Sequence, residues 1–319
     1  GHTRVDLLGR TLAHPILLAP VAYQRMAHPD GELASAYAAA ALGAGMVLST
    51  QSSIAMETIA ACALSDCARG PLLFQLYLQH DRGFTLELVQ RAEQAGFEAL
   101  VLTVDAPTNG ARDRERRAGF TLPPGISAVN LAGLPPAPPV LLRPGQSALF
   151  DGMLTQGTTP TWDDVAWLQS QTRLPVLLKG ILHPTDARQA AALGLAGIIV
   201  SNHGGRTLDT APATAAVLPR IKDAVGELPV LVDGGIRRGT DVLKAMALGA
   251  SAVLVGRPYV YGLANAGAVG VAHVLRLLRD ELEIAMALCG CRTLDQASPA
   301  LLFEGKSAIG IANATDSYL

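Results

Sequence analysis

The chain has 319 residues and a formal net charge of −2, and 50% of its residues are hydrophobic while 16% are charged. This composition is typical of a core-rich globular protein and argues against a disordered chain. The absence of a basic run argues against nucleic-acid binding. No uninterrupted run of about 18 apolar residues is present, and the four cysteines lack a metal-ligand spacing. We therefore expect a cytoplasmic protein with reduced thiols, no bound metal and no membrane partner.

Strand and helix signals alternate in the first third of the chain. Short apolar runs predict strands at 16–19, 46–49, 72–78 and 99–104. Stretches of helical composition lie between them, at 31–42, 56–63 and 84–95. This alternation is typical of a parallel sheet with helices packed on it.

The alternation stops between Ala106 and Pro160. This stretch is rich in proline and glycine and contains three Pro-Pro pairs, at 123, 135 and 138. Loops of this length are uncommon in compact domains unless they have a function. We interpret 106–160 as a lid inserted after the fourth strand, because the alternation resumes beyond it; a linker or disordered segment is the alternative. The charged cluster Arg112–Arg117 is interpreted as a solvated face.

The second half of the chain repeats the strand–helix rhythm. Strands are predicted at 176–178, 198–200, 230–232 and 252–255. Helices are predicted at 162–171, 184–193, 214–225 and 240–248. About eight such units predict an α/β protein with a (β/α)8 TIM-barrel fold, formed by a single domain over residues 1–319. The amphipathic stretch Val271–Leu288 is predicted to be an extra C-terminal helix.

One strand end carries an unusual set of polar residues. After Ile198–Val200 the sequence reads S-N-H-G-G-R-T-L-D, so that His203, a potential base, is close to Arg206, a permanent cation. In parallel barrels the active site lies at the carboxyl ends of the strands. The alternative for this stretch alone is that His203 caps a turn and Arg206 is solvated.

The last two strand ends combine glycines with arginines, following strands seven and eight, where barrels often bind phosphate. Glycine lets backbone N–H groups approach an anion, and arginine neutralises it. The residues concerned are Gly234, Gly235, Arg237, Gly256 and Arg257.

Lys179 closes the apolar V-L-L strand and therefore needs a partner. It could be a Schiff-base amine, a counter-charge for a bound anion or one half of a structural ion pair. Because His203 and two arginines are predicted nearby, we expect an anionic ligand. A Schiff-base aldolase on the same barrel is an alternative function.

Seven motifs run from about Pro15 to Leu288: A-P-V-A, F-Q-L-Y, L-T-V-D-A-P, V-L-L-K-G-I, S-N-H-G-G-R-x-L-D, L-V-D-G-G-I-R-x-G-x-D-V-x-K-A-x-A-L-G-A and V-L-V-G-R-P. Together they resemble the FMN-dependent 2-hydroxy acid oxidase and dehydrogenase family, which includes glycolate, lactate and mandelate oxidases. The combination covers essentially the whole predicted barrel and is highly specific.

The resemblance implies FMN as cofactor. The flavin ring and ribityl chain would be contacted by Pro20, Val21, Ala22, Ser52, Gln75, Thr103 and Ser201. Lys179 would lie near the N1/O2 edge, where its charge stabilises the anionic reduced flavin. The ribityl-phosphate end would be held by Asp233, Gly234, Gly235, Arg237, Gly256 and Arg257. The predicted cofactor-binding set is completed by His203, Gly204 and Arg206.

The resemblance also implies a substrate site. Arg112 and Arg206 would clamp the substrate carboxylate, and Tyr77 would donate a further hydrogen bond. His203 would be the catalytic base, with Asp105 orienting it and stabilising its imidazolium. The predicted catalytic set is His203, Asp105, Tyr77 and Lys179.

Two features depart from the family pattern. Ile54 stands where glycolate oxidase-like members have a tryptophan, which would reshape the substrate pocket toward larger or more apolar hydroxy acids such as mandelate. The N-terminal helical segment of the family, with a substrate-contacting tyrosine, does not precede the first strand here, so one carboxylate contact is expected to be missing.

We therefore expect FMN-dependent oxidation of an L-2-hydroxy acid, of the lactate, glycolate or mandelate type, to the 2-keto acid. Oxygen is expected to accept the electrons and give hydrogen peroxide, since 131–153 lacks the long apolar run that would indicate a membrane-bound relative. The alternative within this class is a soluble dehydrogenase that uses another acceptor. The family also implies a homotetramer.

Overall fold

The computed structural model describes residues 1–108, 110–139, 141, 143–147 and 159–303. Eight of its strands form a closed parallel barrel: β3 (Ile16–Leu18), β4 (Gly45–Ser49), β5 (Leu72–Leu76), β6 (Ala99–Thr103), β7 (Val176–Ile181), β8 (Gly197–Val200), β9 (Val230–Val232) and β10 (Ala252–Val255). Each strand pairs in parallel with the next, and β10 pairs back with β3. The predicted TIM-barrel fold is confirmed, because all eight predicted strands take part.

A short antiparallel hairpin precedes the barrel; its strands are β1 (Val5–Leu7) and β2 (Arg10–Leu12). Leu7 and Leu12 are buried against the apolar cluster that fills the barrel interior. Arg10 forms an ion pair with Glu98, which directly precedes β6. The hairpin therefore covers the amino-terminal end of the barrel, a feature that the sequence patterns do not predict.

Helices follow the strands, and those assigned within the described residues are α1 (Gly31–Ala41), α2 (Met56–Ala63), α3 (Arg82–Ala95), α4 (Asp113–Arg117), α5 (Trp162–Gln171), α6 (Pro184–Ala192), α7 (Thr214–Val225), α8 (Gly239–Ala247) and α9 (Arg257–Leu288). The seven helices predicted between the strands are all present. Several begin at a side-chain cap: Asp81 accepts from the Phe84 N–H at 2.8 Å to start α3, and Thr161 forms a capping box with Asp164 in α5.

The long helix α9 is broken at Ala266 and Gly267, where φ is −152° and 56°. Its second part contains the predicted helix Val271–Leu288, but this helix is not extra to the barrel: it belongs to α9, which follows β10, packs against both α1 and α8 and completes the ring of barrel helices. Within the described residues, α9 is the one helix that is long and apolar enough to cross a membrane, with a mean hydropathy of 1.2. Leu275 and Leu282 of this helix are fully buried on the barrel, whereas Val269, Leu277 and Ile284 are exposed.

The barrel interior changes from apolar to polar along the strands. Alternate residues of a strand face the same side, and in six strands an apolar interior residue is followed two positions later by a buried polar one. These pairs are Leu73 and Gln75, Val101 and Thr103, Leu177 and Lys179, Ile199 and Ser201, and Leu231 and Asp233, and Val47 and Ser49 of β4 form a sixth. The polar layer thus lies at the carboxyl-terminal mouth, where the site was predicted.

The region 106–160 contains helix α4 and a 3₁₀ turn at Val129–Leu131. Asn130 is fully buried and joins the turn to the barrel: its amide donates to Ser52 Oγ at 2.9 Å, and its Oδ1 accepts from the Met56 N–H at 3.0 Å. Residues 109, 140, 142 and 148–158 of the predicted lid lie outside the described residues. Its function as a lid stays a prediction.

Candidate active site

Lys179 is at the centre of the polar layer. Its Nζ lies 3.2 Å from Asp233 Oδ2 and donates to Ser201 Oγ at 2.9 Å, and all three residues are buried. A buried charge is tolerated when it is paired and hydrogen-bonded, so Asp233 supplies the partner that Lys179 needs. The ion pair, left open as an alternative, is therefore present, and the expected contact of Lys179 with an anionic ligand stays a prediction.

Three buried atoms of this layer have no hydrogen-bond partner among the described residues: Gln75 Nε2, Thr103 Oγ1 and Asp233 Oδ1. The other end of the Gln75 amide is engaged, since Oε1 accepts from the Thr50 N–H at 3.2 Å. Buried polar groups are nearly always paired in folded proteins. A donor, a hydroxyl and a carboxylate oxygen left unpaired in one mouth indicate a polar ligand that both accepts and donates.

His203 and Asp105 form an acid–base pair, with Nδ1 2.9 Å from Asp105 Oδ1. A carboxylate can only accept, so we assign the proton to Nδ1, which leaves Nε2 as the basic nitrogen. The backbone of His203 has a left-handed conformation, φ 56°, and its N–H donates to Ser201 Oγ at 3.1 Å. Such conformations in non-glycine residues cluster at functional sites.

Gly180 makes the position of Asp105 possible. It lies at an irregularity in the β7–β8 register and has φ 109°. A Cβ atom at this residue would lie 2.6 Å from Asp105 Cγ, so only glycine leaves room for the carboxylate. Gly180 was not among the predicted site residues, although a glycine inside a strand signal marks a bulge or a close approach of another chain segment.

Tyr77 follows β5 and is half-buried. Burial raises the pKa of Tyr77 to about 12, with a further increase from the charge of Asp105 and an opposing effect of Arg112. The hydroxyl is therefore protonated at neutral pH, and its predicted hydrogen bond to the substrate stays a prediction.

Arg112 and Arg206 come from different loops, the first from the region after β6 and the second from the loop that carries His203. Glu115 joins them: Arg206 Nη2 lies 3.1 Å from Oε1, and Arg112 Nη1 lies 3.3 Å from Oε2. The two predicted clamp residues are thus brought together by a carboxylate that was interpreted as part of a solvated face. An i, i+3 spacing from Arg112 was the available signal.

The residues predicted to bind phosphate lie at the ends of β9 and β10. Arg257 Nη2 donates to the Gly204 carbonyl at 2.6 Å, which ties the end of β10 to the His203 loop. Gly234 has φ 83°, and a Cβ there would lie 3.0 Å from Asn202 Oδ1. Arg237 is exposed. The predicted set at these strand ends is completed by Gly235 and Gly256.

The loop Pro20–Ala22 after β3 is backed by a buried polar network that the sequence analysis missed. The Tyr259 hydroxyl donates to the Ala19 carbonyl at 2.9 Å and accepts from Gln24 Nε2 at 3.0 Å. Glu32, which is fully buried, accepts from the Gln24 N–H at 3.0 Å. These bonds fix the backbone of the loop.

Ser52 and Ile54 lie in the loop after β4. The Ser52 hydroxyl donates to the Ile54 carbonyl at 2.5 Å and accepts from the Asn130 amide at 2.9 Å. The Ser52 hydroxyl is therefore largely engaged within the protein. One lone pair of its oxygen is left to accept a hydrogen bond from a flavin. The Ile54 side chain packs against the core cluster.

A barrel mouth with a buried cation, a His–Asp base and a pair of arginines defines an enzyme that uses a polar cofactor and general base chemistry. A family model described as FMN-dependent dehydrogenase matches residues 1–304. The chain belongs to the FMN-dependent dehydrogenase family.

Relatives and solved structures agree with this assignment. The chain is 54% identical over 303 residues to an L-lactate oxidase of Roseobacter sp. (strain GAI101), covering 95% of this chain and 80% of the relative. It is 44% identical over 319 residues to the glycolate oxidase of Spinacia oleracea, covering 97% and 85%. A crystal structure of mandelate oxidase with benzoyl-formic acid has a TM-score of 0.81 at 46% identity, covering 93% of this chain and 80% of that chain.

The predicted family and the FMN cofactor are thus confirmed, and the described residues fit FMN. The unpaired Gln75 amide, Thr103 hydroxyl and Asp233 oxygen match the polar edge of a flavin ring and the hydroxyls of a ribityl chain. Arg237 and Arg257 follow the strand ends where barrels often bind phosphate, and they would supply positive charge for it. The assignment of each residue to a part of FMN stays a prediction.

Proposed function

We propose that this enzyme oxidises an L-2-hydroxy monocarboxylic acid of the lactate type to the 2-keto acid and passes the electrons to oxygen, giving hydrogen peroxide. The observation that carries the proposal is the His203–Asp105 pair beside the Arg112–Arg206 pair. The relatives named L-lactate oxidase, 54%, 52% and 50% identical, support lactate as the first candidate. The alternative is another soluble acceptor in place of oxygen.

The two arginines bind the substrate carboxylate. The planar fork of arginine matches a carboxylate with two parallel hydrogen bonds. Arg112 still has a buried Nε without a partner among the described residues, so it can take a ligand while one Nη holds Glu115. Tyr77, kept protonated by its raised pKa, donates a further hydrogen bond.

His203 is the base. With its Nδ1 proton held by Asp105, Nε2 takes a proton from the substrate, and the carboxylate stabilises the imidazolium that forms. Bound FMN would supply the acceptor for the two electrons and for the hydrogen that His203 does not take. Lys179 adds a fixed positive charge in the barrel mouth, where negative charge develops during the reaction.

We further propose how the protein assembles and where in the cell it is located. A homotetramer accounts for exposed apolar side chains on helices α1 and α9, namely Tyr37, Tyr261, Val269, Leu277, Ile284 and Leu288. A cytoplasmic location is proposed from the reduced cysteines.

The function is tested by the visible spectrum of the FMN-loaded protein before and after anaerobic addition of L-lactate, glycolate or (S)-mandelate. We expect bleaching of the flavin absorbance with at least one acid, fastest with L-lactate. Readmission of oxygen should restore the absorbance and release one hydrogen peroxide per 2-keto acid. A flavin that stays oxidised with every acid would refute the proposal, and reoxidation only by a dye would favour the other acceptor.

A further inference from the structure

Glu115 has an unusual place for an acidic residue in a site that binds anions. Its two carboxylate oxygens each hold one guanidinium, Arg206 at 3.1 Å and Arg112 at 3.3 Å. Burial raises the pKa of Glu115, but the hydrogen bonds and charges of both arginines outweigh it and place the pKa below its ordinary value. Glu115 is therefore ionised at neutral pH, and the cluster of three side chains has a net charge of about +1 rather than +2.

The bridge joins two loops that also touch through their backbones. Gly110, just ahead of Arg112, lies against Arg206 and Thr207 so closely that a Cβ atom would be 2.9 Å from Thr207 Cα. Glu115 thus holds the arginines at a fixed point of contact between the loops. Each arginine gives Glu115 one Nη, and the buried Nε of Arg112 is unpaired among the described residues, which leaves donors for a ligand.

The charge of Glu115 has a different effect on different ligands. Two arginines alone would suit two negative charges, and a dicarboxylate would then be attracted more strongly than a monocarboxylate. With Glu115 in place, a monocarboxylate brings the cluster to neutrality, whereas a second carboxylate is repelled. A 2-hydroxy monocarboxylic acid is the ligand that this balance favours.

We propose that Glu115 is a specificity-determining residue that sets the charge of the arginine clamp and so selects monocarboxylates over dicarboxylates. This inference rests on the proposed function, because it takes the arginine pair as the substrate clamp. It adds a third member to that clamp, supplied by the short helix α4.

The test measures the dissociation constants of glyoxylate and oxalate, which are similar in size and differ by one negative charge at neutral pH. Both are titrated into the oxidised, FMN-loaded protein and followed by the change in flavin absorbance. In Glu115→Gln we expect the preference for oxalate over glyoxylate to rise about tenfold, or about 1.4 kcal/mol. Glu115→Asp, which keeps the charge, should retain the preference of the unaltered protein.

Asp113→Asn is the matched control, because Asp113 lies in the same helix, faces Arg116 at 4.0 Å and is exposed. It removes the same charge and should leave the preference unchanged. Equal changes for both ligands in Glu115→Gln, in either direction, would overturn the proposal and leave Glu115 a structural bridge. The titration needs no turnover, so a protein that oxidises no hydroxy acid would refute the proposed function without deciding the role of Glu115.

Discussion

His203 is the residue whose replacement separates cofactor binding from chemistry. His203→Gln removes the proposed base, since an amide cannot take the substrate proton, and should lower turnover by roughly 10²–10⁴-fold. The measurement is the rate of anaerobic flavin reduction by L-lactate, together with the FMN content of the purified variant, which should not change.

The exposed His273 of α9 provides a control for this prediction. His273→Gln should reduce its flavin at the rate of the unaltered protein. A His203→Gln variant that reduces as fast would show that another group is the base.

Arg206→Met should act on substrate binding. The variant loses charged hydrogen bonds to the carboxylate, each of which contributes about 1.5–3 kcal/mol, so KM for L-lactate should rise roughly 10–100-fold. Steady-state kinetics check the expected rise in KM. Arg114→Met, which replaces an exposed residue of α4, is the control. If KM stays the same, Arg206 does not bind the substrate carboxylate.

Residues that directly follow an apolar strand could be predicted, and those placed by loop contacts could not. His203, Lys179 and Asp233 each follow or close an apolar run that becomes a barrel strand, so the rule for barrel strand ends located them. The pairing of Lys179 with Asp233 depends on the spacing between β7 and β9 across the barrel, which no local pattern encodes. Glu115 was missed because its partner Arg206 is 91 positions away.

At the scale of elements, the long loop after β6 is attached to the barrel through Asn130. Asn130→Ala would leave the buried Met56 N–H and Ser52 hydroxyl without this partner, at a cost of about 1–3 kcal/mol in the free energy of unfolding. Because Ser52 lies in a loop predicted to contact FMN, the affinity for FMN should fall as well.

Denaturant unfolding and FMN titration check this prediction, with Asn265→Ala, an exposed change in α9, as the control. An Asn130→Ala variant with the stability and FMN affinity of the control would show that the turn does not anchor the loop.

The elements that the sequence predicted are those with long apolar or amphipathic runs. The hairpin β1–β2 could not be predicted, because each strand has three residues and includes a charged one. Helix α4 consists of five charged residues and has no apolar periodicity, so only its contacts with neighbouring loops explain its place. Region 106–160 could be recognised as irregular, but not the turn at Val129–Leu131.

The stability of the whole molecule should depend on pH through His14. This residue is buried at the start of β3; its Nδ1 accepts from the Ile16 N–H at 3.2 Å, and its Nε2 lies 3.1 Å from the Leu42 carbonyl. Burial lowers the pKa of His14 from 6.5 to about 4. The unfolded chain therefore binds the proton first as pH falls, and stability is lost between pH 6.5 and 4, by about 3 kcal/mol.

Thermal unfolding across this pH range tests the prediction. His14→Gln should show a flatter decline of Tm from pH 6.5 to 4, whatever its Tm at neutral pH, whereas His273→Gln should follow the unaltered protein. Parallel pH profiles for His14→Gln and the unaltered protein would exclude His14 as the source.

The hairpin at the amino-terminal end has a consequence for the order of events during turnover. Among the described residues, Leu7 and Leu12 cover that end and apolar side chains fill the interior behind them, so access along the barrel axis is left to the carboxyl-terminal mouth. A hydroxy acid that enters along this axis and the keto acid that leaves along it would both use this mouth. A keto acid that is still bound in the mouth would then block the next hydroxy acid, so product release would precede substrate binding.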